Sequence, residues 1–260
     1  MTTSWLQPDW PVPTVHAVCS TRQGGASHAP YDSLNLGDHV GDVPQDVQSN
    51  RRRFAQALNV RPVFLQQVHG WDLVSLTKDT PDATVADACI TTQTDVACTI
   101  MVADCLPVLF TDPQGRVVGA AHAGWRGLAG AEGVGVLETT VHAMRETLRA
   151  QQQADTVWAW LGPCIGPTRF EVGAEVRAAF VAAQPQASQA FVPHAEVAGK
   201  YWADLALLAR QRLQALGVTQ VWGNDGSARW CTVLNTDLFF SHRRDRVSGR
   251  FAAAIRRQKT

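Results

Sequence analysis

The sequence predicts an α+β fold in a single domain spanning residues 1–260. Three features lead there. Short apolar runs arrive as a hairpin, stretches with apolar residues every three or four positions lie beside them, and no repeat, low-complexity tract or Pro/Gly/Ser-rich linker divides the chain. Apolar residues make up 45 % and charged residues 18 %, so a core is well supplied and intrinsic disorder is not expected. Strands in hairpins with helices beside them suit α+β better than a doubly wound parallel sheet.

In chain order, Ser33–Gly37 reads as a turn and Ser49–Arg53 as a helix start. Ala97–Ala103 is a nearly continuous apolar run, the mark of a strand buried on both faces. Leu106–Thr111 is a second strand, with Pro107 confined to its start. Asp112-Pro113-Gln114-Gly115 has the residue order of a type I turn, and Arg116–Ala121 leads back as a third strand. If Asp112 pairs with Gly115, Cys105 falls opposite His122; a left-handed Gly115 would add a bulge and slip that register by one. Either way Cys105 and His122 emerge at one end of one hairpin. Val134, Leu137, Val141, Met144 and Leu148 then recur at spacings of 3, 4, 3 and 4, a helical face. Trp158–Leu161 is a further short strand. Glu175–Ala183 and Ala203–Leu216 read as helices, the second ending at Gly217; Ala182–Ala190 reads as a loop or frayed helix end. Phe239–Phe240 is expected to close a late strand before a basic tail.

Charge and cysteine usage exclude several classes of function. Lys plus Arg (23) cancel Asp plus Glu (23), so no global field draws nucleic acid or an acidic membrane face. No run of 18 apolar residues suggests a membrane span, and residues 1–10 lack the pattern of a signal peptide. Six cysteines without a C-x-x-C pair read as reduced, mostly buried thiols of a cytoplasmic protein. No phosphate-binding loop, dinucleotide fingerprint, H-E-x-x-H or nucleophile elbow is present.

What remains is His69, Cys105 and His122, each at the end of an apolar stretch where a strand would reach the rim of a sheet. Two imidazoles and a thiolate suit zinc and leave a fourth tetrahedral position for water or substrate. The same residues also fit a Cys105 nucleophile with His122 as its base, or three separately buried side chains. The glycines at 124, 127 and 130 permit close backbone approach and could leave a helix N-terminus open to an anion. Trp125 suits a core position or a stacking surface for a planar base. Arg243 and Arg244 are the basic pair placed to enter a site, and Asp104 and Glu171 are candidate proton-transfer groups. Eight histidines without a His-x-His pair are too few for a multi-copper cluster.

Eight segments bring a resemblance: Thr21–Gly25, Pro30–Gly37, Gln67–Gly70, Ala103–Val108, His122–Gly127, Leu161–Gly166, Phe170–Gly173 and Phe239–Arg244. In this order, over nearly the whole chain, they resemble the YfiH family, also labelled multi-copper polyphenol oxidoreductases of laccase type. The resemblance implies a cytoplasmic enzyme with a four-layer αββα sandwich of mixed and antiparallel sheets, and one Zn2+ on His69, Cys105 and His122. It implies a purine nucleoside phosphorylase acting on adenosine, inosine and S-methyl-5'-thioadenosine, with adenosine deaminase activity, although the H-x-E and P-C-x-x-C pattern of zinc nucleobase deaminases is absent. Asn35, Arg51 and Arg244 match residues that would line the nucleoside and phosphate side. The partners implied are small molecules; the balanced charge argues against nucleic acid and membrane, and a net-neutral chain without an evident coiled coil is expected to act as a monomer. Some members are described instead as peptidoglycan editing factors that remove L-Ser from a muropeptide precursor, an amide hydrolysis. A non-catalytic partner protein stabilised by its metal is the third reading. Cys164 and His242 stand where relatives are expected to carry Ala and an aromatic.

Overall fold

The structure, a computed structural model, describes residues 5–259. Its first half contains β1 (Val15–Cys19), α1 (Pro44–Leu58), β2 (Arg61–Phe64), β3 (Leu73–Ser75), β4 (Ala88–Thr91) and β5 (Val96–Val102). The hairpin follows as β6 (Leu106–Thr111) and β7 (Val118–Ala123), then α2 (Trp125–Ala129), α3 (Val136–Ala150) and β8 (Trp158–Leu161). Next come β9 (Glu171–Gly173), α4 (Ala174–Ala183), β10 (Phe191–Pro193), β11 (Lys200–Ala203) and α5 (Leu205–Ala215). The chain closes with β12 (Val221–Gly223), α6 (His242–Asp245) and β13 (Phe251–Arg257).

Three apolar cores separate four layers. A four-stranded sheet, β1-β13-β5-β2, lies face to face with a six-stranded sheet, β12-β8-β6-β7-β4-β3. Cys98, Ile100 and Val102 of β5 meet Leu109, Val118 and Ala120 of the second sheet. The alternate β5 residues, Ala97 and Met101, pack outward with Phe54 and Leu58 of α1. On the other flank Leu106, Val108 and Phe110 of β6 meet Leu137, Val141 and Met144 of α3, with α5 beside them. This is the αββα sandwich. Parallel pairs (β2–β5, β3–β4, β8–β12) make both main sheets mixed, and a small third sheet, β10-β11-β9, flanks them.

Element boundaries have local causes. Pro44 occupies the first turn of α1, where a missing N–H costs nothing, and Asn59 in the left-handed region ends it. Ser49–Arg53 is therefore mid-helix rather than a helix start. Asp204 caps α5 through the Leu207 N–H at 2.9 Å, and Gly217 follows the helix with φ +73°.

Two further expectations need correction. Phe239–Phe240 is not a strand; the late strand is β13, inserted between β1 and β5. The hairpin register also differs. Gly115 does close the turn onto the Asp112 carbonyl (3.0 Å), with φ +67°. The Asp112 carboxylate then accepts from the Arg116 and Val117 N–H groups, which lengthens the loop. Leu106 faces Ala123 and Pro107 faces His122, so the register lies two residues beyond the direct pairing.

Candidate metal site and its cleft

Cys105 immediately precedes β6, and His122 sits near the end of β7. The observed register puts Gly124 across from Cys105, where any larger residue would crowd the site: a Cβ there would lie 3.0 Å from both Cys105 Sγ and His69 Cδ2. His69 arrives on the loop after β2 with φ +61°. Gln67 anchors that loop by continuing the sheet with its side chain, donating to the Met101 carbonyl and accepting the Met101 N–H, both at 2.8 Å. Gly127 lets α2 approach the same loop, since a Cβ would come within 2.4 Å of the Gly70 carbonyl oxygen. The glycine run thus serves close approach. The helix it enters is one short turn, and the α3 start is occupied by Glu138, which accepts the Gly135 N–H at 2.9 Å.

One ligand atom from each of His69, Cys105 and His122 lies within 4.8 Å of the others. Among the described residues this is the one such group, and it could bind a metal ion. His122 is buried, Cys105 half-buried and His69 exposed, so the centre opens to solvent on one side. Burial alone would raise the Cys105 thiol pKa, but the charge and hydrogen bond of His122, with help from His69, bring it down to about 6. Burial would lower the His122 pKa; the Cys105 thiolate and Asp87 instead hold it up at about 9. The site therefore favours a deprotonated sulfur, the form a metal binds.

Asp87 was not singled out in the sequence, yet it organises two of the three candidate ligands. Its Oδ1 bonds His122 Nδ1 at 2.8 Å and accepts the His69 N–H at 2.9 Å. Its Oδ2 accepts the N–H groups of Gly70 (2.7 Å) and Val68 (3.1 Å). Burial would raise the Asp87 pKa, but these bonds, His122 first, carry it below the usual carboxylate value. With Nδ1 engaged, His122 presents Nε2 to the cleft, the carboxylate–histidine pairing common behind metal ligands. The available signal was an acidic residue inside the apolar stretch Val85–Ile90.

The three ligands open on a cleft of ≈ 750 Å³. Trp125, Phe170, Arg51, Arg243, Arg246 and Arg250 are among its walls. Arg51 pairs with Asp38 at 3.1 Å and lies over the Phe64 ring at 4.1 Å. Arg243, Arg246 and Arg250 form no ion pair among the described residues. Asn35 and Arg244 do not line the cleft. The Asn35 amide is used up on Gly37, Asp42 and the Arg250 N–H. Arg244 is held by Asp245 and the carbonyls of Thr232 and Phe239. Asp104 lines the cleft from the turn before β6; with φ +92° it accepts from Thr232 Oγ1 and the Arg243 N–H, both at 2.6 Å. Glu171 lies outside the cleft wall, paired with Lys200 at 3.6 Å. Cys164 is buried, whereas His242 reaches the cleft. The six cysteines are free thiols, and no helix among the described residues is long and apolar enough to cross a membrane.

Fold and site together define a class: a four-layer αββα sandwich with a His–Cys–His centre at the rim of its larger sheet. The chain belongs to the YfiH family. Residues 16–258 match the family model described as multi-copper polyphenol oxidoreductase laccase. A purine nucleoside phosphorylase of Pseudomonas aeruginosa is 50 % identical over 97 % of this chain and 98 % of its own. The purine nucleoside phosphorylase YfiH of Escherichia coli is 48 % identical over 96 % of this chain and 97 % of its own. A crystal structure of a Neisseria meningitidis protein superposes with TM-score 0.88 at 42 % identity, covering 98 % of this chain and 99 % of that one. The relatives' names support an enzyme acting on a small molecule.

Proposed function

We propose that the chain is a zinc-dependent purine nucleoside phosphorylase acting on adenosine, inosine and S-methyl-5'-thioadenosine, with adenosine deaminase side activity. The observation that carries this reading is a three-donor centre opening on a cleft in which three arginines, Arg243, Arg246 and Arg250, have no carboxylate partner among the described residues. The donor set fits zinc. Ligand atoms around tetrahedral zinc lie roughly 3.4–3.8 Å apart, so a trio within 4.8 Å needs only a small closure. His69, Cys105 and His122 would hold the ion, leaving one position open. Zinc supplies Lewis-acid polarisation of a substrate oxygen or nitrogen.

The protein's own groups do the rest. Unpaired guanidinium groups bind phosphate and hold an oxygen in line with ribose C1'. The C1'–N9 bond breaks as the C1'–O bond to hydrogen phosphate forms; the purine leaves with the N9 electron pair and takes up the proton that the phosphate gives up, and the bound phosphate charge stabilises the oxocarbenium-like ribose. Trp125 and Phe170 offer flat apolar surface to the purine. The reading places the protein in the cytoplasm, acting as a monomer.

One observation favours a second reading. A Cys105 sulfur beside a protonated His122 is the arrangement of a thiolate nucleophile, which suits an amide hydrolase releasing L-Ser from a muropeptide precursor. The test is release of adenine or hypoxanthine by zinc-loaded protein with phosphate varied. Phosphate-dependent release, lost on chelation and in His69→Ala, supports phosphorolysis. Serine release from the precursor without phosphate supports the alternative and overturns the first reading.

A further inference from the structure

Arg250 is a half-buried cation in the metal cleft with too few partners. Its Nη1 donates to the carbonyls of Ser248 (2.8 Å) and Gly249 (3.0 Å), and among the described residues Nε and Nη2 donate to no protein group. Among the described residues no carboxylate lies at ion-pair distance from it, and a partly desolvated charge without a close counter-ion is costly. The Cys105 and Asp104 charges act on it, which puts the guanidinium within electrostatic reach of the candidate metal centre.

The backbone beneath it is clamped. Asn35 Oδ1 accepts the Arg250 N–H at 2.8 Å and the Gly37 N–H at 2.9 Å. The Leu36 N–H donates to the Arg250 carbonyl at 2.9 Å. Gly37 makes room for the stem, since a Cβ there would lie 2.8 Å from Arg250 Cγ. The same loop directs Arg51, whose Nε donates to the Leu36 carbonyl at 2.9 Å. One tripeptide thus holds two arginines far apart in the chain, Arg51 by its guanidinium and Arg250 by its backbone and stem, and its buried asparagine faces Arg250's backbone rather than the cleft.

We propose that Arg250 is the principal oxyanion ligand of the metal cleft, holding a phosphate group through Nε and Nη2, and that Asn35 is a positioning residue acting through it. Identification of the anion as inorganic phosphate rests on the phosphorylase reading; the oxyanion site itself does not. Bidentate guanidinium–phosphate recognition needs the planar fork that Lys lacks.

The experiment is calorimetric titration of zinc-loaded protein with inorganic phosphate and, separately, adenosine 5'-phosphate, beside phosphate KM and kcat where turnover is seen. Arg250→Met should weaken binding of the preferred anion about 10- to 100-fold, with Arg250→Lys recovering part of the loss. Asn35→Ala should raise phosphate KM more than it lowers kcat, with zinc content unchanged. Arg229→Met, at an exposed arginine paired with Asp225, should bind as the parent does. Circular dichroism and Tm verify folding, and Arg250→Lys carries the test if the Met variant does not fold. Binding of either anion that depends on Arg250 supports the site, inorganic phosphate marking a co-substrate and the nucleotide a substrate-borne phosphate. Folded Arg250→Met with parental affinity for both anions overturns it, as does a parent that binds neither. Arg250-dependent binding without phosphorolysis would sink the phosphorylase reading and leave this site; phosphorolysis with unchanged phosphate KM in Arg250→Met would do the reverse.

Discussion

At the residue scale, one carboxylate carries more of the site than its place in the sequence suggests. Asp87 holds the His122 ring and the 68–70 backbone together, so the two histidines share a support. Asp87→Asn should leave the fold intact and lower zinc affinity about 10- to 100-fold, as loss of a carboxylate behind a metal-bound histidine does. Competition with a chelator measures this, and unchanged affinity would contradict the role. His69, Cys105 and His122 were legible because donor residue types at the ends of apolar runs are a local signal. Asp87 was not, since its partners come from a loop and from another strand. Asn35 was legible only as part of a matching motif, and its contacts show that it serves Arg250 rather than the cleft.

At the element scale, most helices and strands follow from local pattern. All seven residues of β5 are buried, as its apolar run predicts, and β6 and β8 have the expected ends. The misses have physical causes. Asp112 uses its side chain to organise a longer loop, which no turn-residue pattern reveals. β13 is alanine-rich and borders the basic tail, yet it is a central strand because the cores on both faces close over small residues. A pH-dependent prediction belongs to α5. Burial holds the Asp204 pKa above the usual carboxylate value despite its helix-capping bonds. Since the folded-state value is raised, the favourable contribution is complete below the unfolded value and is lost as pH rises through the folded one. Asp204→Asn keeps the cap without the buried charge, so its Tm at pH 7 should exceed the parent's, with the difference vanishing below about pH 4. Asp204→Ala should cost about 1 kcal/mol relative to Asn. A lower Tm for the Asn variant at pH 7 would refute the assignment.

At the scale of the whole molecule, the four layers separate stability from chemistry. α1 covers the outer face of the smaller sheet, and Phe54 is fully buried there. Phe54→Ala should cost about 3–5 kcal/mol in denaturant unfolding while zinc stoichiometry stays the same. Loss of zinc at native conditions would show that this core and the centre are coupled. The layer order itself was legible through the family resemblance, not through periodicity: alternation tells which face of a strand is buried, but not which sheet will cover it.

The most direct measurement is elemental analysis of the purified chain beside His69→Ala, Cys105→Ser and His122→Ala. One zinc per chain is expected, with zinc lost or sharply reduced in each variant while far-ultraviolet circular dichroism is retained. Stoichiometric zinc in all three variants, or several copper ions per chain, would contradict it.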